Sequence, residues 1–376
     1  MNIKINKKDD IIIKILHYFI TEEDYKPVIV NGIQNEIWLE NMQKDLKLIR
    51  INTNYIHNQE QLNNDTYKAL SIMKTIKKNT LSFNMTMLNL LLDTGDIKIN
   101  DDIKNVETIR VNKLNDFRKN EFINEFFPKV KDAEFSDKAD PLEFFKLSED
   151  MNEKTIKNEK KLARIFRPKK PYGTYIIICI CLVMFLFQYT LNIDMIRLLG
   201  NNYELVRGGE IYRVITCMFL HGSIMHLICN MYALYILGSQ VERYYGTLKF
   251  LIIYFISGIL GSLFSCVFMS SYTYSIGASG AIFGLLGSIA YFTYNYRATL
   301  QSLLRGQVMP AIIVNLLIGF IVPGIDVTAH VGGLIGGILV SMGIGLGDKY
   351  RKSDQINGFV VLLLMFIAMI YFIIVK

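Results

Sequence analysis

Apolar residues are distributed unevenly along the chain, and the change comes near residue 175. Before that point no apolar run is long enough to cross a bilayer, whereas the sequence after it is a succession of such runs. The predicted spans are seven, at residues 174–191, 225–240, 250–269, 279–294, 308–321, 328–345 and 358–375. The second, fourth and fifth are short, but helices buried among others do not need the roughly 20 apolar residues of a lipid-exposed span. The pattern predicts a polytopic α-helical membrane protein with a separate N-terminal half.

The N-terminal half alternates short apolar runs with polar segments, which is typical of a soluble α/β domain. Its predicted elements are helices at 11–20, 67–78, 115–127 and 141–161, and strands at 27–30, 36–40, 46–52, 97–100 and 107–111. The first apolar run is short and interrupted by charges, so we expect no cleaved signal peptide. We therefore predict a cytosolic α/β domain over residues 1–150, a basic juxtamembrane linker over 151–173, and a membrane domain over 174–376.

Charge placement predicts how the chain is oriented. The composition is 51% hydrophobic with a formal net charge of +7, and eight lysines and arginines lie within residues 154–170, directly before the first predicted span. This position favours contact with lipid over binding of nucleic acid. The other basic residues between spans lie in alternate loops, which the positive-inside rule places in the cytoplasm. We expect a multi-pass protein of the cell membrane whose N-terminal half is cytoplasmic.

Cysteines and isolated histidines add little chemistry. The five cysteines all lie in the hydrophobic half without metal-type spacing, and we expect them to be core thiols: Cys179, Cys181, Cys217, Cys229 and Cys266. In the N-terminal half, His17 and His57 have no convergent catalytic partners in the sequence. We therefore interpret that half as a binding or regulatory appendage rather than a second enzyme.

The candidate chemistry centres on a serine between glycines at the start of the fourth predicted span. Ser279 lies in the segment SIGASGAIFG, residues 275–284. The flanking glycines let a substrate backbone approach, and a helix N-terminus offers free N–H groups where an oxyanion would form. By itself this pattern is more typical of a small-residue face that packs against another helix.

A histidine near the start of the sixth predicted span supplies a partner. His330 is ionisable and intramembrane, which is rare and usually functional. Gly333 and Gly337, together with the glycines of the fourth span, predict helix faces that approach closely enough for a hydrogen bond between Ser279 and His330. A neutral imidazole can accept the serine proton and return it to the leaving amine. The charge pattern places both residues toward the extracytoplasmic face.

A third cluster lies at the start of the second predicted span, in the segment HGSIMHLICNM, residues 221–231. His226 and Asn230 are four residues apart, so both side chains share one helix face and both can donate to the same developing negative oxygen. Simple hydrogen bonding between helices remains the alternative. A metal site would need further ligands at suitable spacing, so we expect no metal and no cofactor. Asp326, four residues before His330, is interpreted as a helix N-cap rather than a third catalytic group.

Together these motifs resemble the rhomboid family of intramembrane serine proteases. The resemblance covers residues 174–376 and rests on Tyr212-Arg213, similar to the family's Trp-Arg, on the cluster from His221 to Asn230, on Glu242-Arg243, on Gly277 to Gly280, and on Ala329-His330 followed by Gly333 and Gly337. Phe283 occupies a position where some members carry Tyr, and its ring can still stack on the imidazole.

The resemblance implies a rhomboid six-helix bundle plus one extra C-terminal span, preceded by the soluble α/β domain, as in a subgroup found in Gram-positive bacteria. It implies a serine endopeptidase that uses a Ser-His dyad, with Ser279 as nucleophile and His330 as base. His226, Asn230 and the Ser279 backbone N–H would stabilise the oxyanion. The remaining motif residues would be structural: His221, Arg213, Glu242, Gly277, Gly280, Phe283, Gly333 and Gly337.

The implied partners are transmembrane protein substrates, which would enter laterally near the fifth and second spans, and the lipid bilayer. The N-terminal domain would take a cytosolic partner or ligand. The main alternative is a non-catalytic rhomboid-like protein that binds membrane clients. A transporter is disfavoured because the polar residues cluster near one face and no inverted repeat is visible. The sequence leaves the substrate, the cleavage site, the role of residues 1–150 and the oligomeric state open.

Overall fold

The computed structural model divides into two compact units, residues 1–164 and 165–376. The structure describes residues 6–30, 32–95, 97, 99, 103–133, 135, 140–165, 170–191, 193–268, 273–297, 300, 303–322, 324–345 and 352–375. The division between the units falls in the last turn of the helix Pro141–Ile165. The first part of the predicted linker 151–173 therefore belongs to this helix and is not a separate segment.

A five-stranded sheet organises the N-terminal unit. The strands are β1 (Lys26–Val28), β2 (Glu36–Glu40), β3 (Leu48–Asn52), β4 (Met87–Leu91) and β5 (Val106–Arg110), in the order β1-β2-β3-β4-β5. β1, β2 and β3 are antiparallel neighbours, whereas β3, β4 and β5 run parallel. The sheet is therefore mixed, and a long helix connects β3 to its parallel neighbour β4.

Helices cover the sheet of this unit. They are α1 (Lys7–His17), α2 (Gln59–Asn79), α3 (Leu114–Lys119), α4 (Glu121–Phe126) and α5 (Pro141–Ile165), with a π-helical turn at Tyr18–Glu22 and a 3₁₀ turn at Pro128–Asp132. One core cluster is rich in aromatic rings, including Phe19, Phe117 and Phe127, and a second places Trp38 with Met73 of α2. Arg50 of β3 is completely buried. Its guanidinium pairs with Glu36 of β2 at 2.7 Å and with Asp65 of α2 at 2.6 Å.

The structure of this unit differs from the prediction at three places. The single helix expected over 115–127 is broken into α3 and α4, because Asn120 adopts an extended backbone and its side chain caps α4 by accepting from Ile123 N–H. The strand β4 was missed because MLNLL lacks the alternation of a half-buried strand; all five of its residues are buried. The strand expected at 97–100 lies partly outside the described residues, and Ile97 and Ile99 are not in a strand.

The regular secondary structure described in the membrane unit is helical, apart from one isolated β-bridge between Asn201 and Ser275. Its helices are α6 (Tyr172–Thr190), α7 (Met195–Leu199), α8 (Tyr203–Arg207), α9 (Arg213–Thr216), α10 (Ile224–Tyr245), α11 (Thr247–Phe268), α12 (Ser279–Asn295), α13 (Met309–Ile321), α14 (Val327–Ile344) and α15 (Lys352–Val375), with a 3₁₀ turn at Cys217–Phe219 and a π-helical turn at Leu304–Val308. Each predicted span coincides with one of these helices.

Within the described residues, five helices are long and apolar enough to cross a membrane, namely α6, α10, α11, α14 and α15. The apolar helices α12 and α13 are shorter. α12 is nevertheless almost entirely buried, so it is surrounded by protein rather than exposed. One expectation is corrected here: Cys181, Cys217 and Cys266 are buried, but Cys179 and Cys229 are exposed on the surface of their helices.

Candidate active site

The helices that carry Ser279 and His330 touch through glycine backbone. A Cβ on Gly333 of α14 would overlap the carbonyl oxygen of Gly280, and one on Gly337 would overlap that of Gly284. A Cβ on Gly280 would lie 3.4 Å from the carbonyl oxygen of Ala329. Gly280 directly follows Ser279 and Ala329 directly precedes His330, so the backbone contact joins the sequence neighbours of the two candidate residues on facing helices.

Ser279 is the first residue of α12 and is partly exposed. Ala278 precedes it as the N-cap residue, with no side chain that caps the helix. The backbone N–H groups of the first turn are therefore not satisfied by a capping side chain, and the positive end of the helix dipole points at the hydroxyl. Such an end favours a negative charge that develops on an atom bound to the serine.

His330 is 7% exposed and lies in the first turn of α14. The ring of Phe283 stacks on the imidazole, with ring centroids 4.1 Å apart and an angle of 13° between the planes. This is the contact that sequence analysis expected, whereas an effect on catalysis stays a prediction. Within the described residues, Nδ1 of His330 has no hydrogen-bond partner. A Cβ on Gly319 of α13 would lie 3.7 Å from this nitrogen, so the short apolar helix closes one side of the imidazole.

His226 and Asn230 converge on the backbone just before Ser279. A Cβ on Gly277 would lie 2.7 Å from Nε2 of His226 and 3.5 Å from Nδ2 of Asn230. Gly277 also has φ +119°, which side chains disfavour, so glycine is needed there for two independent reasons. The Nδ2 amide of Asn230 is buried and makes no hydrogen bond to any described residue. A donor with no partner is available to an acceptor placed beside Gly277.

His221 packs beside this pair rather than joining it. Its ring lies 5.1 Å from the ring of His226, in an edge-to-face arrangement, and is 1% exposed. Its backbone is held by the side chain of Gln188, which accepts from the His221 N–H at 3.1 Å and donates to its carbonyl at 3.2 Å. Burial lowers the pKa of His221 to about 4, so the ring is neutral near pH 7.

The Tyr212-Arg213 pair organises the loop between α6 and α10. Arg213 is buried, pairs with Glu210 at 2.7 Å, and donates to the carbonyl oxygens of Arg197 and Gly200 at 2.8 and 2.9 Å. The hydroxyl of Tyr212 donates to the same carboxylate at 2.7 Å. These hydrogen bonds, first from Tyr212 and then from Arg213, lower the pKa of Glu210. The pair thus supports the loop backbone and lies apart from the serine.

Glu242 connects two spans. Its carboxylate accepts from the backbone N–H groups of Gly173 and Thr174, both at 2.9 Å, from the hydroxyl of Thr174 and from that of Thr247. A carboxylate from α10 therefore caps the N-terminus of α6, a favourable position for a negative charge. This buried carboxylate joins α6 to α10, and the structural role that the resemblance implies for Glu242 stays a prediction.

The residues that hold the segment before Ser279 were not predicted from the sequence. The backbone of Asn201 exchanges two hydrogen bonds with that of Ser275, at 3.1 and 2.8 Å. The buried Asn201 side chain donates to the carbonyl of Ser262 and accepts from the thiol of Cys266. Gly277 N–H donates to the carbonyl of Cys217 at 2.9 Å. The available signal was an adjacent asparagine pair, 201 and 202, between apolar segments.

Asp326 is an N-cap residue, as expected. Its Oδ1 accepts from the Ala329 N–H at 3.0 Å and from the Thr328 hydroxyl at 2.6 Å, while its Oδ2 accepts from the Ser275 hydroxyl at 2.6 Å. The Asp326 carboxylate therefore links the start of α14 to the segment that precedes Ser279. The described residues contain no group of three or more His, Cys, Asp or Glu that could hold a metal ion.

Comparison with known proteins gives this constellation a context. A family model described as the Rhomboid domain matches residues 208–347, a range that contains Ser279, His330, His226 and Asn230. The chain is 36% identical over 167 residues to the Rhomboid protease GluP of Bacillus subtilis (strain 168), covering 43% of this chain and 32% of that protein.

Two further relatives come from Arabidopsis thaliana and Toxoplasma gondii. The chain is 43% identical over 86 residues to RHOMBOID-like protein 4 of Arabidopsis thaliana, covering 23% of this chain and 22% of the relative. It is 38% identical over 104 residues to Rhomboid-like protease 3 of Toxoplasma gondii, covering 27% and 39%. The matched part of each of these three proteins is thus well under half of its length.

Proposed function

The chain belongs to the rhomboid family through its membrane unit, and from this premise we propose that it is an intramembrane serine endopeptidase that cuts transmembrane proteins. The observation that carries the proposal is the glycine contact between α12 and α14. It brings the residue after Ser279 into backbone contact with the residue before His330, and this close approach supports pairing of the partly exposed Ser279 with the stacked imidazole of His330. A nucleophile and a base need this proximity before any proton can pass between them.

In the proposed reaction, Ser279 Oγ attacks the carbonyl carbon of the scissile peptide bond and His330 accepts the hydroxyl proton. The tetrahedral intermediate places its oxyanion beside Gly277, where His226, Asn230 and the Ser279 backbone N–H would donate hydrogen bonds. His330 then returns the proton to the leaving amine. Water deprotonated by the same imidazole hydrolyses the acyl-enzyme, which regenerates Ser279.

We infer the orientation from the basic residues of the sequence. The cluster over 154–170 precedes α6, and Arg243 and Lys249 lie where α10 meets α11, which favours a cytoplasmic location for these ends and for the N-terminal unit. The serine end of the bundle then opens to the extracytoplasmic side. The N-terminal unit would bind a cytosolic partner or ligand, which its lack of a catalytic set favours over a second enzymatic activity.

The test is cleavage of a single-span model substrate by the purified full chain in detergent. Wild type should cleave, and Ser279→Ala and His330→Ala should each reduce the rate by at least about 1,000-fold, since loss of a catalytic group leaves little activity. Ser288→Ala is the matched control, because Ser288 is a buried serine of the same helix away from its N-terminus. Cleavage that survives both dyad substitutions would refute the proposal, and binding of the substrate without cleavage by wild type would favour a non-catalytic client-binding protein.

A further inference from the structure

One carboxylate joins the two segments that lead into the candidate catalytic residues. Asp326 Oδ1 is used within its own helix, where it caps α14 through the Ala329 N–H. Its Oδ2 points away from that helix and accepts the hydroxyl of Ser275 at 2.6 Å. The two residues are 51 positions apart in sequence, so this bond is a tertiary contact rather than a local turn.

Each partner of this hydrogen bond lies shortly before one of the two candidate catalytic residues in the sequence. Ser275 is four residues before Ser279, and Asp326 is four residues before His330. Asp326 is the N-cap residue of α14, about one helical turn before His330, whereas Ser275 lies in the non-helical segment that leads into α12 at Ser279. A shift at either partner is therefore carried to the start of α12 or α14. On its other side, Ser275 is fixed by the two backbone hydrogen bonds to Asn201.

The glycine contacts between α12 and α14 fix how closely the helices approach. Glycine faces have no side chains that interlock, and so they resist sliding along the helix axis less than interdigitated side chains do. A directional hydrogen bond at the ends of the two helices supplies what the glycine contact lacks. A bond to an ionised carboxylate is also short and among the stronger hydrogen bonds in proteins.

We propose that the Ser275–Asp326 hydrogen bond is a tether that sets the axial register of Ser279 against His330, and that Ser275 and Asp326 are positioning residues for the reaction. The inference rests on the proposed function of the dyad. Neither residue needs to touch the substrate. The tether acts because proton transfer from Ser279 requires a hydrogen-bond distance to the imidazole, and misplacement by about 1 Å can cost about 100-fold in rate.

The direct test compares two hydroxyl removals around the same carboxylate. Ser275→Ala removes the tether but leaves the N-cap of α14. Thr328→Val is the matched control, because Thr328 donates to the other oxygen of Asp326 from within the same helix. We expect Ser275→Ala to lower kcat by about 10-fold or more, with KM within about twofold, since the lost bond acts on geometry in the transition state. Thr328→Val should stay within about twofold of wild type, and Ser275→Thr, which keeps a hydroxyl, should recover most of the rate.

A second measurement separates the tether from the dyad. Unfolding midpoints in detergent are compared for Ser275→Ala, Asp326→Asn and the double variant, a cycle that needs no enzymatic activity. If the two side chains act through one bond, the double variant should lose less than the sum of the single losses. Additive losses, or a kcat for Ser275→Ala equal to that of Thr328→Val, would overturn the tether. A wild type that cleaves nothing while the cycle still shows coupling would refute the proposed function and leave the contact intact.

Discussion

The two units of this chain fill their interiors in opposite ways. In the N-terminal unit large side chains meet, as where Phe19 lies 5.2 to 5.6 Å from the rings of Tyr25, Phe117 and Phe127. In the membrane unit the central contact is backbone against backbone, with Gly333 of α14 directly on the carbonyl of Gly280. Burial of apolar area stabilises an interior that forms in water, whereas helices in lipid gain mainly from close approach. Removing a side chain should therefore damage the first unit, and adding a methyl group should damage the second.

The largest effect is expected from Arg50→Met in the N-terminal unit. Arg50 is 0% exposed, and its guanidinium also lies 5.7 Å from the ring centre of Trp38. Its loss would leave the carboxylates of Glu36 and Asp65 without their buried partner, which typically costs about 3–5 kcal/mol. Hydrogen exchange of the full chain should show faster exchange in β2 and β3.

The exposed Arg118→Met is the control for that experiment, since its guanidinium contacts only a backbone carbonyl in the described structure. It should leave exchange in the sheet unchanged. Cleavage by the membrane unit should stay within about twofold for both variants. Equal protection of the sheet in Arg50→Met and wild type would show that the ion cluster does not hold this unit together.

The next largest effect is expected from Gly333→Ala in the membrane unit, where a methyl group is added rather than a side chain removed. The new methyl group would overlap the Gly280 carbonyl, so α12 and α14 must separate, at a cost of about 1–3 kcal/mol for overpacking. Because the same contact brings Ser279 beside His330, we expect cleavage to fall by more than about 100-fold. Gly306→Ala is the control, since a Cβ there meets nothing within 4 Å. Full activity of Gly333→Ala would show that the glycine contact is not needed for the site.

The same difference explains what the sequence could predict. Membrane helices are long apolar runs, so each predicted span coincides with a helix. The glycine spacing predicted that α12 and α14 approach closely, and the specific contacts Gly280–Gly333 and Gly284–Gly337 are visible in the structure. In the N-terminal unit the buried strand β4 lacked a periodic signal. A parallel strand covered on both faces has no alternation to detect.

Within the site, residues with unusual chemistry could be identified from sequence and those that hold loops could not. A serine between glycines or a histidine in an apolar span is conspicuous in the sequence. Asn201 and Ser275 are ordinary polar residues whose importance lies in a pairing 74 positions apart, which is visible only when the chain is folded. The partner of Asp326 was hidden for the same reason, although its N-cap role follows from local sequence.

A smaller effect should appear as pH dependence of the membrane unit. The native structure keeps His221 neutral down to a pKa of about 4 because of burial and its neighbour His226, whereas the unfolded chain protonates it near 6.5. The stabilisation that comes from keeping His221 neutral is therefore complete above about pH 6.5. As the pH falls toward 4, the free energy of unfolding decreases by about 1–2 kcal/mol. Unfolding midpoints in detergent should fall more steeply between pH 7 and pH 5 for wild type than for His221→Asn. Parallel pH profiles would contradict the buried neutral state.

The smallest effect is expected where a ring, not a backbone, makes the contact. Phe283 is the one large side chain stacked on His330 in the described structure. This contact is made by side-chain rings, as in the N-terminal unit, and not by glycine backbone. Phe283→Leu keeps apolar bulk but loses a stacking interaction of about 0.5–1.5 kcal/mol. Because we expect this energy to hold the imidazole in place, kcat should fall by roughly 3- to 10-fold. Phe283→Tyr should retain the wild-type rate, and Phe268→Leu, on an exposed ring at the end of α11, should be silent. A Phe283→Leu variant as active as Phe283→Tyr would mean that glycine packing alone orients the histidine.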